Sequence, residues 1–304
     1  MGYLLGIDGG GTHTTAWLAD DRLSILSRVQ VGPSNPIKVG MASAQRELAR
    51  AYRLALRESR VQPAMLDAVC AGLAGGDSAP VRKRMLAWMR KSIPARAHLL
   101  TTDAAVTLAA ALDDSEGIIV IAGTGSIAYG HDRYGRVLRA GGWGSLFDDE
   151  GSGYDVGRKA VAYALRAFDG RGRPTRLAGS ICRELGLGRI NEIVAKPLAA
   201  RNIAALFPLV QAEARAGDAV ARSLCREAGG HLADLASALI AQFGWKHSSI
   251  RVICSGGVFQ SSPMIRRFFT QRVRDHAPGA RVSLLRREPV EGALLLARQL
   301  YTAR

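Results

Sequence analysis

Ile7-Asp8-Gly9-Gly10-Gly11-Thr12 decides the fold of this chain, because it closes an apolar β-type run, residues 3–7, with three consecutive glycines. Two later segments have the same form, again after strand-like runs: Ile121-Ala122-Gly123-Thr124-Gly125-Ser126 and Cys254-Ser255-Gly256-Gly257-Val258. A strand that ends in glycines lets the backbone approach an anion closely and point its N–H groups at it. Three such turns in one chain predict a phosphate chain that is held from several sides.

The composition is typical of a globular protein with two domains or one large one. The chain has 304 residues, of which 48% are apolar, and it contains 34 glycines. No run of about 18 apolar residues occurs, and the first residues enter a strand at once, so we expect no transmembrane helix, no signal peptide and a cytoplasmic location. The four cysteines are scattered without a CxxC pair, which indicates neither a zinc nor an iron–sulfur site.

The net charge of +15 allows two explanations. A strongly basic surface can bind nucleic acid or another anionic partner. However, only six of the 41 basic residues are lysines, and the arginines are spread through almost every segment instead of clustering in one arm. This distribution indicates a compositional bias towards arginine and disfavours a nucleic-acid partner.

The predicted elements run through the same order twice. Each half opens with a glycine-marked strand, a hairpin and a third strand, and then turns to alternating helices and strands. The predicted strands are 3–8, 14–19, 24–30, 67–73 and 97–101 in the first half, and 117–122, 126–130, 136–139, 250–254 and 281–285 in the second. The predicted helices are 41–59, 80–91, 103–112, 153–167, 262–275 and 290–301, with a mainly helical insertion at about 175–244. We therefore expect an α/β chain of two domains, residues 1–114 joined by a C-terminal helix at about 288–304, and residues 115–287.

Asp103 is the candidate general base. Phosphoryl transfer needs positioned phosphates, Mg²⁺ and a base for the acceptor hydroxyl. Asp103 follows the strand-like run 97–101 and stands at a helix N-terminus, which favours the ionised carboxylate. The alternative is that Asp103 is only the N-cap of that helix, since Asp is a favoured cap. Its position between two phosphate loops favours the catalytic role.

The first glycine loop offers a metal ligand and a phosphate donor. Asp8 ends the first strand and could hold Mg²⁺ through water, since Mg²⁺ keeps several of its waters. The alternative is a turn-forming Asp before glycines. Thr12 would donate its hydroxyl to a phosphate oxygen. Because the loop contains no lysine or arginine, we expect backbone amides and Mg²⁺ to neutralise most of the phosphate charge.

A glycine-rich loop at residues 141–153 joins Trp143 to three adjacent carboxylates, Asp148, Asp149 and Glu150. A tryptophan beside glycines can stack on a sugar, and the carboxylates can accept hydrogen bonds from its hydroxyls. The alternative is a buried Trp followed by an acidic N-cap region. Asn35 has the composition of a turn residue, but it follows the third strand and could also face a ligand.

Taken together, these motifs resemble the N-acetylglucosamine kinase branch of the actin-like ATPase and sugar-kinase superfamily, which also contains the benzoyl-CoA reductase activator ATPases. The resemblance rests on residues 6–12, 32–35, 102–105, 121–126, 141–144 and 149–155, and the run 149–175 is similar to bacterial kinases for N-acetylmuramic acid and N-acetylglucosamine. It implies two ribonuclease H-like lobes, each a mixed five-stranded sheet flanked by helices. It also implies ATP, Mg²⁺ and an amino sugar as ligands, with a role in amino-sugar metabolism and cell-wall recycling.

The resemblance also assigns roles by position. Asp103 matches the residue that deprotonates the sugar 6-hydroxyl. The positions that match sugar-contacting residues are Asn35, Trp143 and Asp149. We also expect Gly142, which precedes Trp143, to contact the sugar. The positions that match nucleotide-contacting loops are Gly10, Gly11, Thr12, Thr124, Gly125, Gly256 and Gly257. We also expect Gly123 and Ser126, of the second glycine segment, to bind the nucleotide. Asp148 replaces a glycine of some members, and Ala74 replaces a serine, so the sugar contacts are expected to differ.

Several alternatives stay open. The acceptor is N-acetylglucosamine, N-acetylmuramic acid, glucosamine or a plain hexose. An ATPase that activates an electron-transfer partner would share the fold, but its relatives hold a cluster between paired cysteines, which this chain lacks. A sugar or nucleotide sensor is the third alternative. Relatives are often dimers, which leaves a homodimer open.

Overall fold

The computed structural model describes residues 2–61, 63–76, 78–113 and 115–303. The chain divides into two compact units, unit 1, which is Met1–Ser115 with Leu285–Arg304, and unit 2, which is Glu116–Leu284. The predicted domain boundary falls on Asp114, which lies outside the described residues. Across the described part of the chain, no helix combines the length and apolar character needed to cross a membrane.

Unit 1 is built on a mixed five-stranded sheet with the order β3-β2-β1-β4-β5. The strands are β1 (Tyr3–Gly9), β2 (Thr14–Asp20), β3 (Ile25–Val31), β4 (Leu66–Leu73) and β5 (Ala95–Thr101). The first three pair antiparallel through short turns, whereas β4 and β5 follow helical connections and pair parallel to β1. β1 is therefore the central strand, and its side chains are buried on both faces.

Helices cover both faces of this sheet. They are α1 (Pro36–Val39), α2 (Met41–Ser59), α3 (Ala79–Ser92), α4 (Asp103–Leu112) and α12 (Pro289–Thr302). One apolar core joins the sheet to α2 and α3, and a second joins its other face to α4 and α12. α12 packs so closely on α4 that a Cβ on Gly292 would lie 1.8 Å from the Val106 carbonyl oxygen.

Unit 2 repeats the sheet with the order β10-β9-β6-β7-β8. The strands are β6 (Gly117–Ala122), β7 (Ser126–His131), β8 (Val137–Gly141), β9 (Arg251–Ser255) and β10 (Arg281–Leu284). The helices are α5 (Gly153–Phe168), α6 (Leu177–Leu185), α7 (Ala200–Ala204), α8 (Phe207–Arg215), α9 (Ala219–Phe243), α10 (Gly257–Ser261) and α11 (Pro263–His276), with a 3₁₀ helix at Ile190–Ala195.

The predicted fold class is confirmed. Each unit has a mixed five-stranded sheet flanked by helices, and the second carries a helical insertion between β8 and β9. The insertion packs into the same core as α5 and the sheet, because its helices are amphipathic. All three glycine segments directly follow strands, namely β1, β6 and β9.

Candidate functional site

The carboxyl ends of three parallel strands meet at one edge of the unit 1 sheet. The register places Asp8 beside Gly72 and Gly72 beside Thr101. α4 starts directly after β5 and approaches closely, since a Cβ on Gly72 would lie 2.9 Å from the Thr102 carbonyl oxygen. Asp8 and Asp103, which are 95 positions apart in the sequence, therefore interact at this edge.

Asp8 and Asp103 form a pair of like charges. Burial, and secondarily the negative charge of Asp103, raise the pKa of Asp8 to about 7. Two carboxylates at such an edge are costly to ionise together, and a divalent cation relieves that cost. Mg²⁺ in phosphoryl-transfer sites takes one or two carboxylates, waters and substrate phosphates. The two carboxylates at this edge, Asp8 and Asp103, fit that donor set. The described residues contain no cluster of three or more His, Cys, Asp or Glu side chains arranged to hold a metal on their own.

The raised pKa of Asp8 predicts a pH dependence of stability in the metal-free protein. An acid with a folded pKa near 7 and an unfolded pKa of about 3.9 contributes stability below pH 4 that is lost as the pH rises through 7. Because of this group, we expect the free energy of unfolding to fall by about 1–3 kcal/mol as the pH rises from 5 to 8. The D8N variant should not show this fall. Urea unfolding in EDTA at several pH values measures it.

The control for this experiment is E58Q, which changes an exposed carboxylate of α2 in the same unit. In E58Q the free energy of unfolding should depend on pH as it does in the wild type. Equal slopes in the wild type and in D8N would contradict the raised pKa.

Asp103 is the first residue of α4 and not its cap. The cap is Thr102, whose Oγ1 accepts a hydrogen bond from the Ala105 amide at 3.1 Å. The Asp103 carboxylate accepts from the Ala104 amide at 2.9 Å and is half-buried. The alternative that Asp103 serves only as the N-cap is therefore wrong, because the neighbouring threonine supplies that interaction.

The first glycine loop holds two other segments of unit 1. The Gly10 amide donates to the His13 carbonyl, and the Gly10 carbonyl accepts from the amides of Ser34 and Asn35. The Ala74 amide donates to the Gly9 carbonyl at 2.9 Å. The loop that follows β3 and the loop that follows β4 are thus fixed to the glycine loop through backbone hydrogen bonds.

Asn35 is buried and caps α1. Its Oδ1 accepts from the amides of Ile37 at 2.9 Å and Lys38 at 3.2 Å. Gly75, at φ +76°, lies against this oxygen, since a Cβ there would come within 2.8 Å of it. The cap explains the Ser-Asn-Pro sequence, because Pro36 occupies the first helical position.

Lys38 is a residue that the sequence reasoning missed. The first glycine loop itself contains no lysine or arginine, but the Lys38 side chain packs on Gly11: its Nζ lies 3.0 Å from the position that a Cβ on Gly11 would occupy. The reason is α1, a four-residue helix that was not predicted and that turns Lys38 back towards the loop. The sequence signal for this helix is Asn35 followed by Pro36, because Asn is a favoured N-cap residue and Pro a favoured first helical residue.

The second glycine loop, in unit 2, is attached to the start of α5. The carbonyls of Gly123 and Thr124 accept from the amides of Gly153 at 2.8 Å and Tyr154 at 3.3 Å. The Ser126 hydroxyl donates to the Glu150 carbonyl at 2.8 Å. The Gly123 amide donates to the Gly125 carbonyl at 2.9 Å and the Ser126 amide to Asp149. Within the described part of the chain, the amides of Thr124 and Gly125 donate to no protein acceptor, so these two face no competition for an anion.

Asp149 lies on this loop. Its Oδ1 accepts from the Ser126 amide at 3.1 Å, and a Cβ on Gly125 would lie 2.8 Å from its Oδ2. Its backbone has φ +66°, a left-handed value that is costly for a side chain with a Cβ. Burial raises the pKa of Asp149, with the charges of Asp148 and Asp155 adding to the rise and the Ser126 amide opposing it. The second glycine loop therefore holds the Asp149 carboxylate in place. The same carboxylate is also a candidate sugar ligand.

Trp143 is exposed to 68% of its surface, so the alternative of a buried Trp is wrong. The Arg139 guanidinium lies 4.1 Å from the centre of its ring. The Trp143 amide donates to Asp148 Oδ2 at 3.2 Å, so Asp148 turns towards the backbone of its own loop. Gly142, at φ +74°, packs on Ile127 and fixes the loop to β7. One ring face is covered by arginine, which leaves the other for a ligand.

Asp155, buried in the first turn of α5, anchors the 141–153 loop. Its Oδ2 accepts from the Gly151 amide and the Lys159 ammonium, each at 3.0 Å, and its Oδ1 from Arg158 at 3.0 Å. Lys159 in turn reaches Glu227 of α9 at 2.7 Å. Sequence reasoning missed this network, since it depends on the packing of α5 against α9.

The third glycine segment lies beside the second. Gly256 has φ +92°, and a Cβ there would lie 2.3 Å from the Ala122 carbonyl oxygen, which directly precedes Gly123. Gly257 begins α10, and a Cβ there would meet nothing within 4 Å outside its chain neighbours and its own helix. Unit 2 therefore places the second and third glycine segments together, as expected for two parts of one anion site.

The chain is similar to several known proteins. A sequence profile described as the BadF/BadG/BcrA/BcrD ATPase family matches residues 5–297. The N-acetylmuramic acid/N-acetylglucosamine kinase of Clostridium acetobutylicum is 32% identical over 98% of this chain and 99% of its own length. The glucosamine kinase of Vibrio cholerae is 28% identical over 92% of this chain and 95% of its own. A crystal structure from Chromobacterium violaceum, proposed to be an N-acetylglucosamine kinase, has a TM-score of 0.82 and 27% identity, and the match covers 98% of this chain and 99% of that one.

Proposed function

This chain belongs to the BadF/BadG/BcrA/BcrD ATPase family, and we propose that it is an ATP-dependent kinase that transfers the γ-phosphoryl group to the 6-hydroxyl of an amino sugar. The observation that carries the proposal is the pair Asp8 and Asp103 at the carboxyl edge of the unit 1 sheet, beside the first glycine loop. Phosphoryl transfer requires little more than a base, a charge-neutralising site and held phosphates, and this edge supplies the first two.

In this proposal Asp103 is the catalytic base. It accepts the proton of the 6-hydroxyl while that oxygen bonds to the γ-phosphorus, and ADP leaves with the electrons of the broken P–O bond. The Ala104 amide and the start of α4 hold the carboxylate and favour its ionised form. Asp8 would hold Mg²⁺, through water, and when bound the ion would neutralise charge on the phosphates.

The remaining residues are assigned to binding. The nucleotide is proposed to bind at three loops: Gly10, Gly11 and Thr12; Gly123, Thr124, Gly125 and Ser126; and Gly256 and Gly257. The sugar is proposed to contact Asn35, Gly142, Trp143 and Asp149. The exposed ring face of Trp143 supports a stacking role, and the Asp149 carboxylate supports a hydrogen bond to a sugar hydroxyl.

We propose N-acetylglucosamine, N-acetylmuramic acid or both as the acceptor, in keeping with the name of the relative from Clostridium acetobutylicum. These sugars come from cell-wall recycling, and ATP is available in the cytoplasm, so the proposal places the enzyme there. Glucosamine is the second candidate, because the relative from Vibrio cholerae is a glucosamine kinase and also matches nearly the whole chain.

An ADP-release assay with Mg-ATP tests the proposal. N-acetylglucosamine, N-acetylmuramic acid, glucosamine and glucose are supplied in parallel, and each product is examined by mass spectrometry for an added phosphoryl group. ADP release that depends on an N-acetylated sugar supports the proposal, and release that depends on glucosamine alone supports the second candidate. Hydrolysis that is independent of sugar contradicts both.

Trp143 offers a prediction about sugar binding. W143A should raise the KM for the sugar by about tenfold, equivalent to ~1.4 kcal/mol, since a stacked aromatic contact is lost. The KM for ATP should stay within twofold, because the nucleotide contacts are assigned elsewhere. Y134A is the matched control, since Tyr134 is 85% exposed in the turn between β7 and β8 of the same unit. Parallel changes in both KM values, or no change in either, would contradict the stacking role.

A further inference from the structure

The Lys38 side chain lies across the first glycine loop. An ideal Cβ on Gly11 would lie 3.0 Å from Lys38 Nζ, 3.1 Å from its Cδ and 3.5 Å from its Cε. The outer half of the lysine, and not only its tip, therefore packs on Gly11. The helix that carries Lys38 is fixed at its start by Asn35, whose own amide donates to the Gly10 carbonyl.

The φ angle of Gly11 does not require a glycine at this position. Its φ lies outside the left-handed region, unlike the φ values of Gly40, Gly75 and Gly142. The three nearest atoms that a Cβ there would meet all belong to Lys38. The missing side chain at position 11 thus makes room for the lysine over the loop.

The surroundings of Lys38 suit an anion. The side chain is exposed, and none of the ion pairs among residues 2–61, 63–76, 78–113 and 115–303 involves it. Within the same part of the chain, the amides of Gly11 and Thr12 donate to no protein acceptor, whereas the Gly10 amide donates to His13. An ammonium group that has no ion pair with a described residue, beside two N–H donors that are unused within that part of the chain, is an arrangement that binds phosphate oxygens.

We propose that Lys38 binds the terminal phosphate groups of ATP at the first glycine loop, as a positioning and charge-neutralising residue of the transfer reaction. This inference rests on the proposed function for its role in transfer, but its binding part concerns the nucleotide alone. A lysine acts there as a point charge with three donors, and it supplies the positive charge that the loop sequence itself lacks. The charge that is spread over the phosphoryl oxygens during transfer is the charge it would stabilise.

Nucleotide binding without sugar tests the inference directly. Calorimetric titration of K38M with Mg-ATP should show an affinity about 10- to 100-fold below that of the wild type, the effect of a lost charge-assisted contact. The affinity for AMP, which lacks the terminal phosphates, should be unchanged. K38R should recover part of the ATP affinity. K83M is the matched control, since Lys83 is an exposed lysine of α3 in the same unit, and it should bind both nucleotides as the wild type does.

Kinetics adds a second readout. K38M should lower kcat and raise the KM for ATP, while the KM for a neutral sugar stays unchanged. Unchanged ATP affinity in K38M, or an equal loss for ATP and AMP, would overturn the inference. So would a raised KM for N-acetylmuramic acid alone, since that result would assign Lys38 to the carboxylate of an acidic sugar. Because the titrations contain no sugar, failure of every acceptor in the ADP-release assay would reject the proposed function and leave this test intact.

Discussion

Replacing Asp103 with asparagine is expected to lower kcat by about 10²- to 10⁴-fold, the usual contribution of a general base. Asparagine keeps the size of the side chain and its hydrogen bond to the Ala104 amide, but it cannot take the proton of the sugar hydroxyl. The affinity for ATP and the unfolding temperature should stay near the wild-type values, because Thr102 caps α4. Steady-state kinetics with the preferred sugar and thermal unfolding of the same preparation give all three quantities.

D113N is the matched control for D103N. Asp113 ends the same helix and pairs with Arg287 on the surface, so its loss should change kcat by less than about twofold. Near-full activity of D103N would remove Asp103 from the role of base. A second signature is independent of turnover: D103N should lower the pKa of Asp8, because the Asp103 charge is one of the two causes that raise it.

The largest expected effect on stability comes from Gly292→Ala. A Cβ at this position of α12 would lie 1.8 Å from the Val106 carbonyl oxygen and 2.5 Å from the Ala110 amide nitrogen. These are backbone atoms of α4, so they cannot turn aside as a side chain can. We expect a loss of about 3 kcal/mol or more and a fall of about 10 °C in the unfolding midpoint, measured by calorimetry.

Gly230→Ala is the matched control. Gly230 also lies inside a helix, α9, but a Cβ there meets only the Arg272 side chain, at 3.8 Å or more. Since alanine is the better helix former, this variant should gain up to about 1 kcal/mol. A Gly292→Ala protein as stable as the wild type would contradict this prediction and show that the contact between α12 and α4 can relax.

The fold could be predicted from the sequence because its signals are local. The apolar run of β1 ends at Asp8 and three glycines, and a strand of that form also precedes Gly123 and Gly256. Strand periodicity, helix caps and turn residues sit within a few positions of one another, so each element could be located on its own. The edge that joins Asp8 to Asp103 then follows from parallel pairing alone.

The rest of the candidate site could not be predicted, because it depends on contacts between distant segments. Lys38 reaches Gly11 only because a four-residue helix turns it back, and so short a helix has no periodicity to detect. The Asp149 carboxylate accepts a hydrogen bond from the Ser126 amide. This contact depends on a left-handed backbone conformation of Asp149, at φ +66°, which residue propensities do not predict. The Asp155–Lys159–Glu227 network needs α5 to pack on α9, a fact of tertiary structure.

The place of α12 in the sequence has a consequence for how the chain is made. Residues 2–113 are translated first, yet the apolar face formed by Leu4, Trp17 and Cys70 is covered by Val290 and Leu294, which leave the ribosome only after all of unit 2. Unit 2 is continuous in sequence and can fold as soon as it emerges. Unit 1 must wait with that face exposed to chaperones and to other nascent chains, so the order of synthesis makes the half of the protein that carries Asp8 and Asp103 the last to be completed.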